Sequence, residues 1–165
     1  IPKYAAQAIR KAYDIGWKPT HFLTNVAISV GSVLQPAGLE KSQGIISADY
    51  RKDASDPRWN DDPGKKQWLA FMQKYMPEAD LKDNNYPYGM MVAITMVQVL
   101  KQCGDDLSRE NIMKQAASIK NLEMPMLLPG ITINTSATDF APIKQMQLQR
   151  FDGKSWELFG DVIAG

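Results

Sequence analysis

Cysteine and histidine are the scarcest side chains in this sequence, with one of each, Cys103 and His21. A lone thiol excludes an internal disulfide framework and a cysteine-based zinc site. A lone imidazole excludes a histidine-rich metal centre. No run of Lys and Arg forms a basic patch. With 19 basic and 18 acidic side chains the formal net charge is only +1, which gives no electrostatic case for nucleic acid. No signal peptide is visible. The chain opens directly on "IPKYAAQAIRKAYDIGWKP", already helical in pattern, so the expectation is that the protein begins upstream of this stretch. The longest apolar run, "PYGMMVAITMVQVLKQCG", falls short of the roughly 20 apolar residues a membrane span needs. It reads as a buried helix of a larger domain.

What remains is an ordinary globular composition. The 165 residues suit one domain or a piece of a larger protein, and the apolar fraction of 44% is enough for a packed core. Residues 3–15 place Ala5, Ala8, Ile9, Ala12 and Ile15 on one stripe opposite Gln7, Arg10, Lys11 and Asp14. That spacing predicts a helix stopped by Gly16. A short link then leads to a strand at Thr20–Leu23, which makes half of a βαβ unit. "SVGSVLQPAGLEK" predicts a short helix broken at Pro36–Ala37–Gly38, and "GIISADY", residues 44–50, a buried strand. Helices are expected at 63–75, 88–103 and 109–118. In the first, Asp62 would cap, Pro63 would take the first turn, and Trp68, Leu69, Phe71, Met72 and Tyr75 would be buried. Ser108 would cap the third. "KQMQLQRF" and "SWELFG" predict a hairpin turned by Asp152–Gly153, with a bulge near Arg150.

Catalytic constellations are not found. Cys103 ends an apolar helix and reads as a buried structural thiol. A serine nucleophile would need His21, and no nucleophile elbow is present. No glycine-rich loop opens a helix to hold phosphate. Asp53, Asp56, Asp61 and Asp62 lack the Gly and closing Glu of a calcium loop. No metal, no cofactor and no enzyme activity is expected. Arg58 and Trp59 read as surface residues of a charged loop.

Four blocks, "AAQAIRKAYDIGWKPTHFL", "LQPAGLEKSQGIISADY", "QVLKQCGDDLSRENIMKQA" and "LLPGITINTSATDFAPIKQMQLQRFDGKSWELFGDVI", together resemble one family in the expected order. They are similar to the carboxyl-terminal half of type I periplasmic substrate-binding proteins of ABC transporters, the leucine/isoleucine/valine-binding branch. The resemblance implies an α/β fold of two lobes, each a doubly wound three-layer αβα sandwich, joined by three crossovers. Residues 1–50 would belong to the second lobe, 51–142 would return to the first, and 143–165 would form a terminal hairpin in the second. Tyr50 would lie near a crossover as a hinge or packing residue. The implied partners are a small-molecule solute and a membrane permease, and the implied compartment is the periplasm. The helices of 51–142 would expose large apolar faces if alone. The expected cover is the remaining half of the protein or a second copy.

The resemblance also directs attention to "HFLTNVAISVG". Open α/β sheets bind ligands beyond the carboxyl ends of their strands, and Thr24 and Asn25 stand at such an end. Amino-acid binders of the family hold the ligand's ammonium with an acidic side chain in this loop. The matching position falls on or beside Val26, and no Asp or Glu occurs between Asp14 and Glu40. An ammonium buried without a counter-charge costs several kcal/mol. A cleft walled by Thr24, Asn25, Val26 and Ser29 therefore suits an aromatic or other small organic acid better than leucine or valine, unless the missing half supplies the acid. On residues alone, Thr24 and Asn25 could simply close their own turn. A ligand-sensing module of a receptor or regulator with the same fold is the alternative function.

Overall fold

The computed structural model describes residues 2–165. The amphipathic stripe near the start forms α1 (Pro2–Asp14), which turns Ala6 and Ile9 into the core. Gly16, at φ 71°, follows it. The expected strand at Thr20–Leu23 is reduced to one parallel bridge, Phe22 to Ile46. Leu23 N–H donates to Ile46 O and Ile46 N–H to His21 O, both at 2.9 Å. The pairing stops there because Asn25–Ala27 already winds into a 3₁₀ turn.

The helix expected to break at Pro36–Ala37–Gly38 runs on through Pro36 and Ala37 and ends at Gly38. A π turn at Val30–Leu34 runs into α2 (Gln35–Ala37). Val33 and Leu34 N–H both reach Ser29 O at 3.0 Å. Pro36 has no N–H to donate to the carbonyl four residues back, and a widened turn just before it absorbs that missing bond. Gly38, at φ 106°, then ends the helix.

β1 (Ile46–Asp49), β2 (Gln145–Phe151) and β3 (Trp156–Ala164) form an antiparallel sheet in the order β1-β2-β3. Asp152 Oδ1 closes the hairpin turn by accepting from Lys154 N–H at 2.7 Å and Ser155 N–H at 2.8 Å. The register shift lies between Gln147 and Leu148, not near Arg150. Gln147 pairs with Val162 and Leu148 with Phe159, so Gly160 and Asp161 are the extra residues of β3. Gly160 adopts φ 66° there, a conformation that favours glycine.

Between β1 and β2 run α3 (Pro63–Tyr75), α4 (Asn85–Cys103) and α5 (Arg109–Ala116). Asp62 caps α3 by accepting from Lys65 N–H at 2.9 Å, and Ser108 caps α5 by accepting from Asn111 N–H at 3.3 Å. Trp68 and Met72 are buried, whereas Phe71 and Tyr75 are exposed and pack on each other at 4.9 Å. The apolar side chains gather in two cores. The first joins α1, residues 28–37, Ile45, Phe151 and Trp156. The second joins α3, α4 and residues 119–133, and includes the buried Cys103.

The chain between β1 and α3 fastens these cores together with aspartates. Asp53 Oδ2 accepts from Val30 N–H at 2.6 Å. Asp56 Oδ2 accepts from Trp156 N–H at 2.9 Å, and Arg58 Nη1 returns a bond to Trp156 O at 2.7 Å. Arg58 is exposed as expected but also acts as a clamp, whereas Trp59 is half-buried against the second core. Among the described residues no group of three or more His, Cys, Asp or Glu side chains is placed to hold a metal, and no helix is long and apolar enough to cross a membrane.

Candidate functional site

A cavity of about 300 Å³ opens between the two cores. One wall is the loop after the Phe22 bridge, with Asn25, Val26, Ser29, Ser32 and Val33. The floor is the carboxyl end of β1, Tyr50 and Arg51. The opposite wall is the start of α4, with Asp83, Asn84, Asn85 and Tyr88. Strand ends place a ligand at such a crevice because the chain leaves the sheet there in loops.

Three of the four residues expected from the sequence, Asn25, Val26 and Ser29, face this cavity. Thr24 does not line it; its carbonyl accepts from Ala27 N–H at 3.0 Å and starts the 3₁₀ turn. Val26 presents an apolar face that is 54% exposed. Ser29 is buried and already employed: its hydroxyl accepts from Ser32 N–H at 3.3 Å and donates to Lys82 O at 3.4 Å. Ser29 therefore shapes the wall more than it offers a free hydroxyl. The seam beside it is tight. Gly31 N–H donates to Ser55 Oγ at 2.8 Å, and a methyl group on Gly31 would lie 2.9 Å from Ser55 Cβ and 3.1 Å from Lys82 Cβ. Glycine is needed here for close approach.

The charged groups were not among the residues singled out from sequence. Arg51 lies beside the Tyr50 ring at 5.1 Å and the Tyr88 ring at 6.0 Å. Its burial works against the charge, but Asp49, Tyr50 and Asp53 together outweigh it and raise the guanidinium further above its usual range. Burial likewise raises the Asp49 carboxyl, and Arg51 and the Tyr50 N–H offset this only in part. Tyr50 is pushed upward chiefly by burial. Asp83 brings a carboxylate to the far wall; its Oδ1 accepts from Asn85 N–H at 2.9 Å. Asn84 Oδ1 is buried with no hydrogen-bond partner among the described residues. Among the described residues the cavity thus offers aromatic surface, amide groups, one cation and one rim carboxylate.

A larger cavity of about 700 Å³ lies at the end of α1, lined by Tyr13, Trp17, His21, Lys41 and Gln43 among others. Its Lys41 is already paired with Asp14 at 2.9 Å. Its walls come from the first core's side alone, so size does not make it the better site. The smaller cavity joins elements of both cores and brings together aromatic, cationic and amide groups.

Residues 2–155 match the family profile described as periplasmic binding protein. The solved structures similar to this chain include a branched-chain amino acid ABC transporter protein from Thermus thermophilus with bound valine. It is 15% identical with a TM-score of 0.81, over 97% of this chain and 43% of that one. A leucine binding protein from Thermotoga maritima is 18% identical with a TM-score of 0.65, over 98% of this chain and 42% of that one. A fatty acid ABC transporter substrate-binding protein from Thermomonospora curvata is 22% identical with a TM-score of 0.65, over 99% of this chain and 41% of that one. At these identities the likeness shows the fold, and the chain spans less than half the length of each of these relatives. No curated protein matches.

Proposed function

The chain belongs to the periplasmic binding protein family, and from that premise we propose that it forms part of the solute receptor of an ABC importer. The receptor would work in the periplasm, take a small organic acid between two lobes, and deliver it to a membrane permease. The observation that carries this reading is the cavity between the two cores, walled from both sides. On this reading the first core belongs to the second lobe, and α3 to α5 belong to the first. The exposed Val92, Met96 and Val97 of α4 would be covered by the rest of the receptor, since the relatives are more than twice as long.

The preference for an organic acid over leucine or valine rests on the loop 24–29, which carries no carboxylate. Within this chain's lining an ammonium would have Asp83 across the cavity. That group is tied by one oxygen to the start of α4 and stands at the solvent edge, where a charge pair is worth only about 1 kcal/mol or less. Tyr50, Tyr88 and Val26 favour a flat or apolar body.

A thermal-shift screen on the full-length protein tests this, with leucine, valine, benzoate, phenylacetate and short aliphatic acids. A ligand at one hundred times its dissociation constant adds roughly 2.7 kcal/mol. Stabilisation by the acids without an amino group is expected. Stabilisation by leucine or valine alone would overturn the ligand preference. Asn25→Ala should weaken the ligand found, and unchanged affinity would remove Asn25 from the site.

A further inference from the structure

Arg51 leaves the end of β1 with its side chain 17% exposed and is the one cationic side chain among the described residues that line the cavity. Its bonds to the protein are long. Nε is 3.3 Å from Asp49 Oδ1, and Nη2 is 3.5 Å from Asp49 Oδ2 and 3.4 Å from Asn25 O. A well-made guanidinium–carboxylate pair closes to about 2.7–2.9 Å. Nη1 has no acceptor among the described residues. Asp49 cannot draw the guanidinium closer without loss, because its Oδ1 already accepts from Tyr50 N–H at 2.7 Å and Arg51 N–H at 3.2 Å. The carboxylate is shared among backbone and side-chain donors, and the cation keeps donors to spare.

We propose that Arg51 is the specificity-determining residue of this cavity, taking the carboxylate of the solute with its unfilled Nη edge while the Tyr50 and Tyr88 rings flank the bound group. This rests on the reading of the cavity as the solute site and names the group that selects an anion there. Asp49 orients the guanidinium from behind and keeps it charged. A half-buried cation with stretched contacts is incompletely compensated, and an incoming carboxylate supplies the missing acceptors in a planar fork. A neutral amide of the same shape offers one oxygen and brings two N–H donors against Arg51's own. The discrimination therefore falls on charge and planarity rather than on size.

Calorimetric titration of the full-length protein with matched pairs tests this: benzoate against benzamide, phenylacetate against phenylacetamide, and leucine beside them. The unaltered protein should bind the acid of its preferred pair roughly a hundredfold tighter than the amide. Arg51→Gln should weaken the acid by a similar factor and bring the acid-to-amide ratio towards one. A purely structural loss would weaken acid and amide alike and leave the ratio unchanged, and that outcome overturns the proposal. Arg51→Lys keeps the charge without the fork and should fall between the two. Should Arg51→Gln fail to fold, an unaltered ratio in Arg51→Lys overturns the proposal instead. Leucine bound through Arg51 would uphold the carboxylate role and overturn only the preference against amino acids. Binding of no probe by the unaltered protein would overturn the receptor reading and this proposal with it.

Discussion

Replacing Asp56 with alanine should cost the protein up to about 4 kcal/mol at neutral pH. The side chain is completely buried. One oxygen accepts from Arg58 N–H at 2.8 Å and the other from Trp156 N–H at 2.9 Å, across 100 positions of sequence. Alanine leaves the buried Trp156 N–H without a partner, at about 1–3 kcal/mol. It also removes the cap of the Pro57–Trp59 turn, at about 1 kcal/mol. Against these stands relief of a buried charge. Burial raises the Asp56 carboxyl above its ordinary value, and the two backbone N–H groups only partly offset that. That relief works against the loss, so the two costs together set its upper bound. Trp156 cannot compensate by moving, since its indole N–H is held by Ile28 O at 3.0 Å and its ring packs on Phe151 at 5.4 Å.

Urea unfolding of the full-length protein reads this loss as a lower midpoint with the slope unchanged. Asp56→Asn should lose less, because one oxygen remains for one of the two N–H groups. The pH dependence separates clamp from charge. A carboxyl raised in the native state takes up a proton there before the unfolded chain does. Stability of the native protein relative to Asp56→Asn should therefore rise as pH falls from above the native value towards 3.8, and then level off. A loss below about 0.5 kcal/mol for Asp56→Ala, within the usual spread of surface substitutions, would refute the idea that this carboxylate fastens β3 to the chain after β1.

Three further substitutions have defined outcomes. Gly64→Ala would set a methyl group 2.0 Å from the backbone carbonyl oxygen of Pro125, which cannot rotate aside; a loss of about 3 kcal/mol is expected in urea unfolding. Lys52→Met removes an ammonium that lies 2.8 and 2.9 Å from the Asp62 oxygens and 3.0 Å from Pro125 O, at about 3 kcal/mol. Burial opposes the Asp62 charge, but the Lys52 and Lys65 contacts outweigh it and hold the carboxyl below 3.8. That advantage is complete above the ordinary value and fades as pH falls through the native one, so unfolding curves of the two proteins should converge in strong acid. Gly31→Ala should push the Ser29–Val33 wall away from Ser55 and Lys82 and weaken the solute by roughly tenfold, about 1.4 kcal/mol; calorimetry showing equal affinity would remove the seam from the binding mechanism.

Elements set by local chemistry were legible. Asp62 followed by Pro63, Ser108 before α5, the stripe of α1 and the Asp152–Gly153 turn all act within a few residues, and the structure keeps them. Readings that depended on partners far along the chain fared less well. Thr20–Leu23 has strand composition, yet its extent is decided by β1 and by the turn at Asn25. Faltering alternation points to a bulge near Arg150, while the insertion sits on the other arm, at Gly160 and Asp161. Phe71 and Tyr75 count as core by periodicity, but α3 buries only the narrower face that carries Trp68 and Met72. Asp53 and Asp56 each close a local turn with one oxygen and with the other also reach an N–H of the first core, which no local spacing marks.

The cavity was half legible for a physical reason. Its first wall, Asn25 to Val33, is a single local segment at a strand end, so the rule about carboxyl ends of strands finds it. The same rule applied to β1 points to Asp49, Tyr50 and Arg51. There the buried run "GIISADY" directs attention to packing. Only the fold shows that Asp49 is overcommitted to backbone donors and that Arg51 turns a free edge to the cavity. Asp83 and Tyr88 carry no local mark at all, since the first looks like a helix cap and the second like one residue of an apolar helix. A site between two cores is assembled by the contacts that join them. Those contacts, Asp53 to Val30, Ser55 to Gly31 and Ser29 to Lys82, link segments 23, 24 and 53 positions apart. Local spacing carries no record of such pairings, and the charge proposed to select the solute is hidden in the same way.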